Sequence, residues 1–227
     1  MGQIASIYGL DIETDTSCDG LDPSIASIKA IALSGQNFDL LFDGDEHNLL
    51  VSLDDHLSGL APGVIATWNG GTFDLPFIAD RAELLGINLG LRLRSDRSRS
   101  LRRSPLPGHG GAYQAGWHDH GHLDTYCLYG HPAIHPRRSL RSLGRFVGLG
   151  DNAAPLACDL GNEALHACAP SDARLARVLA ERRWQSASRM LDRVPHDEAE
   201  TVRVAANRAT RRDSYEMVTV STIAATT

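Results

Sequence analysis

The stretch Tyr8-Gly-Leu-Asp-Ile-Glu-Thr-Asp15 sets two acids inside an apolar, β-branched run. Ile4, Ile7, Leu10 and Ile12 give it the character of a buried strand. Side chains alternate along a strand, so Asp11 and Glu13 share one face, about 7 Å apart along the backbone. Two such acids repel each other and lose hydration, and a divalent cation between them is the usual compensation. A strand that frays into an acidic turn is the other reading, because Asp15, Asp19 and Asp22 follow. The choice depends on whether the rest of the chain supplies further ligands.

Three short β-prone runs come first: the acidic strand, Ile25–Leu33 and Phe38–Phe42. Their short links predict antiparallel neighbours. A helix follows from Asp43-Gly-Asp-Glu, with Leu49, Leu50, Leu53, Leu57 and Leu60 at helical spacing. Val64–Trp68 reads as a strand, and a helix opens near Asp74, with Pro76 tolerated in its first turn. Leu123–Tyr129 reads as a last strand, Ser139–Leu149 as a helix, and Asn162 to about Arg189 as another helical region. This order predicts an α/β layer fold with a central mixed sheet of about five strands flanked by helices.

With 227 residues, 42% of them hydrophobic, the chain can bury one good core. The expected domain is 1–193, with 194–227 a poorly ordered tail or an added strand at Met217–Ile223. Residues 92–122 carry an arginine run, then Pro, Gly and His, and read as one long basic loop. His118, His120 and His122 in that stretch have ligand-like spacing but no matching second cluster. Cys18, Cys127, Cys158 and Cys168 form no CxxC pair, which argues against zinc and for a reduced, cytoplasmic setting. No apolar run approaches a membrane span. A net charge of −6 does not itself advertise nucleic acid.

The informative loop is Trp68-Asn69-Gly-Gly-Thr-Phe73-Asp74-Leu-Pro76-Phe77. Asn69 ends a strand and Asp74 opens a helix, where the positive end of the dipole suits an acid. On a helix through Ser171–Arg182, Asp172 shares the apolar face with Leu175 and Leu179, although Ser171 and Asp172 are also good cap residues. Asp124 reaches the acids only if Leu123–Tyr129 is a neighbouring strand, and it is left out of the candidate set.

With these motifs the chain resembles the DEDD superfamily of 3′→5′ exonucleases, and within it the exonuclease domains of family-B DNA polymerases and their stand-alone relatives. Asp11 and Glu13 match the first motif, Asp-x-Glu. Asn69, Phe73 and Asp74 match the second, Asn-x3-Phe-Asp, and Asp172 supplies the acid of the third, Tyr-x3-Asp. The resemblance implies a ribonuclease-H-like fold and hydrolysis of phosphodiester bonds by two Mg²⁺ or Mn²⁺ ions, held by Asp11, Glu13, Asp74 and Asp172. It implies single-stranded 3′ ends as substrate, DNA favoured over RNA, with Asn69 and Phe73 positioning the terminal nucleotides. The third motif is degenerate: Cys168 stands where the family has its water-orienting tyrosine, and Pro170 lies between it and Asp172. The alternative is therefore a catalytically weak module that binds nucleic acid or a partner on the same fold.

Overall fold

Alternation along the first strand decides what each face of the sheet carries. In β1 (Ser6–Thr14), Tyr8, Leu10 and Ile12 join the main core, while Ile7 joins a smaller cluster on the opposite side. Asp11 and Glu13 keep step with Ile7 and Gly9, and so lie away from the main core. The computed structural model describes residues 6–96, 112–129, 139–149, 162–192 and 194.

The sheet has seven strands. After β1 come β2 (Ile28–Ser34), β3 (Asp39–Asp43), β4 (Gly63–Thr67), β5 (Leu91–Ser95), β6 (Tyr113–Trp117) and β7 (His120–Asp124), in the spatial order β3-β2-β1-β4-β7-β6-β5. β1, β4 and β7 are parallel neighbours at the centre, and the other pairings are antiparallel. The helices are α1 (Glu46–Gly59), α2 (Asp74–Leu85), α3 (Thr125–Tyr129), α4 (Leu140–Phe146), α5 (Asn162–Arg182) and α6 (Trp184–Ala187).

Leucines of α1 and the apolar side of α2 complete the main core with Tyr8, Leu10 and Ile12. Asp45 caps α1 by accepting from Asn48 N at 3.1 Å, and Gly86 ends α2 in the left-handed conformation at φ 69°. Arg81 of α2 makes a fork on Glu46 of α1, at 2.8 and 2.6 Å, and Glu46 in turn accepts from Ile28 N of β2 at 2.7 Å. That bidentate pair ties both helices to the sheet.

α5 covers the other face, and it does so with small residues. Ala169 and Ala173 are fully buried against Ala32 of β2, and Ala180 joins Ile7, Val64 and Leu123. The approach is closest at Gly9: a Cβ there would stand 1.8 Å from the carbonyl oxygen of Ala173. Leu175 and Leu179 pack with Leu140, Leu143 and Tyr129, which seats α4 beside α5.

Three expectations need correction. The sheet has two strands more than the expected five, because β5 and β6 arise from the ends of the stretch read as one long loop, 92–122. Leu91-Arg-Leu-Arg alternates with period two and buries Leu93, while Tyr113, Ala115 and Trp117 do the same opposite. The arginine content concealed a strand; residues 97–111 lie outside the described residues. Leu123–Tyr129 is the end of β7 followed by a helical turn, because the buried Asp124 stops the strand by accepting from Tyr126 N at 3.0 Å. Pro170 neither breaks α5 nor starts a new helix; it lies inside one continuous helix, and Asp172 is therefore an interior residue, not a cap. The Val194 carbonyl accepts from Arg92 Nε at 3.3 Å. The expected strand at Met217–Ile223 lies outside the described residues. Among the described residues no helix is long and apolar enough to cross a membrane.

Gly9→Ala should lower stability by about 1–3 kcal/mol, because only backbone can yield. Gly59→Ala, at the end of α1 with open space around the added methyl, should hold stability or raise it by up to about 1 kcal/mol. Thermal melts of the two variants beside the parent chain check this, and equal melting temperatures would refute the close contact.

Candidate active site

Four acids from three elements meet at one end of the central strands. Asp11 and Glu13 come from β1, Asp74 from the first turn of α2, and Asp172 from the α5 turn beside the Gly9 contact. Their proximity shows in their proton affinities. Burial raises the Asp11 carboxyl well above its ordinary range, and Asp74, Asp172 and Glu13 push it further. Burial and Asp172 raise Glu13. Burial lifts Asp74 to about 7, helped by Asp124 and Glu13 and opposed by hydrogen bonds from its own backbone and that of Ile12.

The loop that delivers Asp74 is built around Asn69, which sits at φ 67°. Its carbonyl accepts from Thr72 N and Phe73 N, both at 3.0 Å, and its own N–H donates to Asp124 Oδ1 at 2.8 Å. Gly70 is required here, because a Cβ would fall 2.2 Å from the Thr67 hydroxyl. That hydroxyl bonds His122 Nε2 at 2.9 Å, and His122 Nδ1 donates to Asp192 Oδ2 at 2.9 Å. A buried chain of polar groups thus runs from the loop to Asp192.

A cleft of about 500 Å³ opens beside the acids, lined by Asp11, Ile12, Trp68, Asn69, Phe73, Asp74 and Tyr126. Trp68 and Tyr126 meet edge to face at 5.2 Å, and Phe73 tilts against Phe77 at 5.5 Å. Asn69 and Phe73 are both in the cleft wall, and Phe73 also packs on the main core.

A cation reaches the acids from α4. Arg141 Nε lies 3.0 Å from each Asp172 oxygen, and Nη2 is 2.8 Å from Oδ2. The guanidinium also feels Glu13 and Asp11, and all three acids make it hold its proton more firmly. Cys168 is buried at 3% exposure and is disulfide-bonded, so the third-motif position offers neither a phenol nor an S–H. That corrects the expectation of wholly reduced cysteines.

The three clustered histidines do not converge. His118 pairs with Asp54, His120 Nε2 bonds the Leu57 carbonyl, and His122 is held as described above. Among the described residues, no three carboxylate, imidazole or thiol groups stand in a metal-holding arrangement. Asp124, Arg141, Trp68 and Tyr126 escaped the candidate set. An acid closing an apolar run signalled Asp124, and the two aromatics flank motif residues, but no spacing rule links Arg141 to Asp172.

A family model described as DNA polymerase family B, exonuclease domain, matches residues 22–108, which include Asn69, Phe73 and Asp74. Among solved structures, the family B DNA polymerase of the hyperthermophilic archaeon Pyrobaculum calidifontis superposes with a TM-score of 0.59 at 20% identity. The match covers 79% of this chain and 24% of the polymerase, so the chain spans about a quarter of that protein. No curated protein matches the chain. The chain thus has a ribonuclease-H-like fold, and over residues 22–108 it is similar in sequence to the exonuclease domain of family B DNA polymerases.

Proposed function

We propose that this chain is a divalent-metal-dependent 3′→5′ exonuclease that trims single-stranded nucleic acid, DNA in preference to RNA. One observation carries the reading: acids from β1, α2 and α5 crowd together, Asp74 buried and the others half-buried, beside an aromatic-walled cleft. The donor set fits a hard cation, since carboxylate oxygens suit Mg²⁺ or Mn²⁺ and no soft ligand intrudes. Asp11, Glu13, Asp74 and Asp172 would hold two ions. When bound, the ions would activate water and stabilise charge on the phosphate. The remaining work falls to the chain. Trp68, Tyr126 and Phe73 offer ring faces and edges to unstacked bases, which is a sequence-tolerant mode of binding. Asn69 is fixed by Asp124 at the cleft wall, where it can reach a terminal sugar or base.

A specific observation favours a second reading. With Cys168 buried in a disulfide, the family's water-orienting hydroxyl has no equivalent at that position. Loss of one such group commonly costs about 10²–10⁴-fold in rate, which leaves a weak enzyme or a binding module.

The acids also fix how metal-free stability depends on pH. Asp11, Glu13 and Asp74 bind protons more tightly folded than unfolded. Between the ordinary carboxylate range and about pH 7, the folded chain therefore carries more protons, and stability falls as pH rises. In chelator, the melting temperature should drop from about pH 5 to about pH 8. Asp74→Asn should flatten that slope and melt higher at the alkaline end, by on the order of 5 °C. Adding Mn²⁺ should stabilise the parent chain more than the variant. A parent melting temperature that rises over this pH range would count against mutual repulsion among the acids.

The activity test uses end-labelled single-stranded DNA and RNA with Mg²⁺ or Mn²⁺. Stepwise shortening from the 3′ end is expected, with DNA cut faster, and Asp11→Ala should lower the rate by about 10²-fold or more. Retained binding with no cleavage above the Asp11→Ala control would select the binding module instead.

A further inference from the structure

The proposed metal site already contains a cation. Arg141 sits in the first turn of α4, with Ser139 capping that helix by accepting from Ser142 N. Its guanidinium makes three contacts of 3.0 Å or less with the two oxygens of Asp172, and the pair is largely buried, at 19% and 15% side-chain exposure. Both oxygens of the Asp172 carboxylate therefore contact one arginine. The contact is seated from both sides. Gly144 of α4 lies so close to Leu175 of α5 that a Cβ would meet its Cδ2 at 2.8 Å, and Leu140 and Leu143 pack on the same face. Arg141 is thus delivered to Asp172 by helix packing, not by a loose surface encounter.

A carboxylate gripped this way must share its oxygens with any divalent ion that arrives. Guanidinium and metal seek the same oxygens, and a positive charge beside Glu13 and Asp11 also repels an arriving cation. The acids of β1 and α2 have no such fork in the contacts described above; burial and one another oppose their charges, with partial relief from Arg141 at Asp11 and Glu13 and from backbone N–H groups at Asp74. The four acids are therefore unequal. Asp172 is the one already paired with a guanidinium.

We propose that Arg141 is an internal counter-ion that competes with metal for Asp172, so that loading of the site requires the guanidinium to release that carboxylate. This rests on the metal-dependent reading above. Arg141 is a positioning residue in this scheme: it acts through Asp172, stabilises the metal-free acids, and sets the ion concentration at which the site fills.

The test titrates Mn²⁺ alone into the full chain at neutral pH, with free ion followed by electron paramagnetic resonance, for the parent, Arg141→Gln, Arg141→Lys and Asp11→Ala. Arg141→Gln should bind Mn²⁺ on the order of tenfold more tightly than the parent, while its chelator-treated form melts lower. Arg141→Lys keeps a charge and the packing but loses the fork, so it should tighten binding by only about threefold, and it carries the test if the glutamine variant fails to fold. A merely structural arginine would leave the affinity unchanged or weaken it. Parent binding that Asp11→Ala abolishes, with no tightening in either arginine variant, overturns this proposal and leaves the metal site standing. Absence of Mn²⁺ binding in the parent and the arginine variants alike overturns both.

Discussion

Carboxylates crowded together, Asp74 buried and Asp11, Glu13 and Asp172 half-buried, are the constraint around which this fold is arranged. Each gains from burial only if something else holds it there, since desolvation and mutual repulsion both favour the neutral form. The holding is done by packing remote from the charges. Leucines of α1, the apolar side of α2 and the interior of β1 and β2 form one continuous core, and the Arg81–Glu46 fork locks the helices to the sheet. That framework leaves β1 and the start of α2 no freedom to move the acids apart. Stability in the core thus offsets the repulsion of a crowded acidic site, a common relation between stability and function.

The other half of the arrangement is the seat of α5. A helix brings its backbone this near a strand only where both surfaces are nearly bare of side chain. Gly9, Ala32, Ala169 and Ala173 provide that surface, and Asp172 is adjacent to the point of closest approach. Pro170 belongs to the same turn. It removes one backbone donor from the helix interior, yet the helix continues through it, held by its packing on β1 and β2. Tertiary burial outweighed a strong local signal, and a reading confined to local propensity had to miss it.

That contrast explains what could be read from the chain without coordinates. Two-residue alternation around Asp11 and Glu13, helical leucine spacing in α1, and the loop from Trp68 to Asp74 are local patterns, and the elements they predict are present. The α/β class followed from their order. Local patterns failed where composition masked them, as in Leu91–Ser95, whose arginines hid a strand with Leu93 buried. They failed again where the partner was distant. The Asp124 bond to Asn69 spans 55 residues, and the His122–Asp192 contact spans 70. Neither separation has a periodicity to betray it. Meetings of that kind are set by sheet order, which brings Thr67 of β4 level with Asp124 of β7.

Arg141 and Asp172 show the same limit with a chemical consequence. Thirty-one positions separate them, and each alone reads as an ordinary helix residue. Chemistry narrows the choice of cation at such a contact. A lysine would place one compact charge near one oxygen, whereas the guanidinium spans both and cannot lose its proton near neutral pH. It therefore remains a permanent competitor that only another cation displaces. A site guarded in this way stays intact without metal, because Asp172 is neutralised by the protein itself. The same contact weakens the first ion to arrive. The balance between those two effects, and not the number of acids, decides how readily the site would fill.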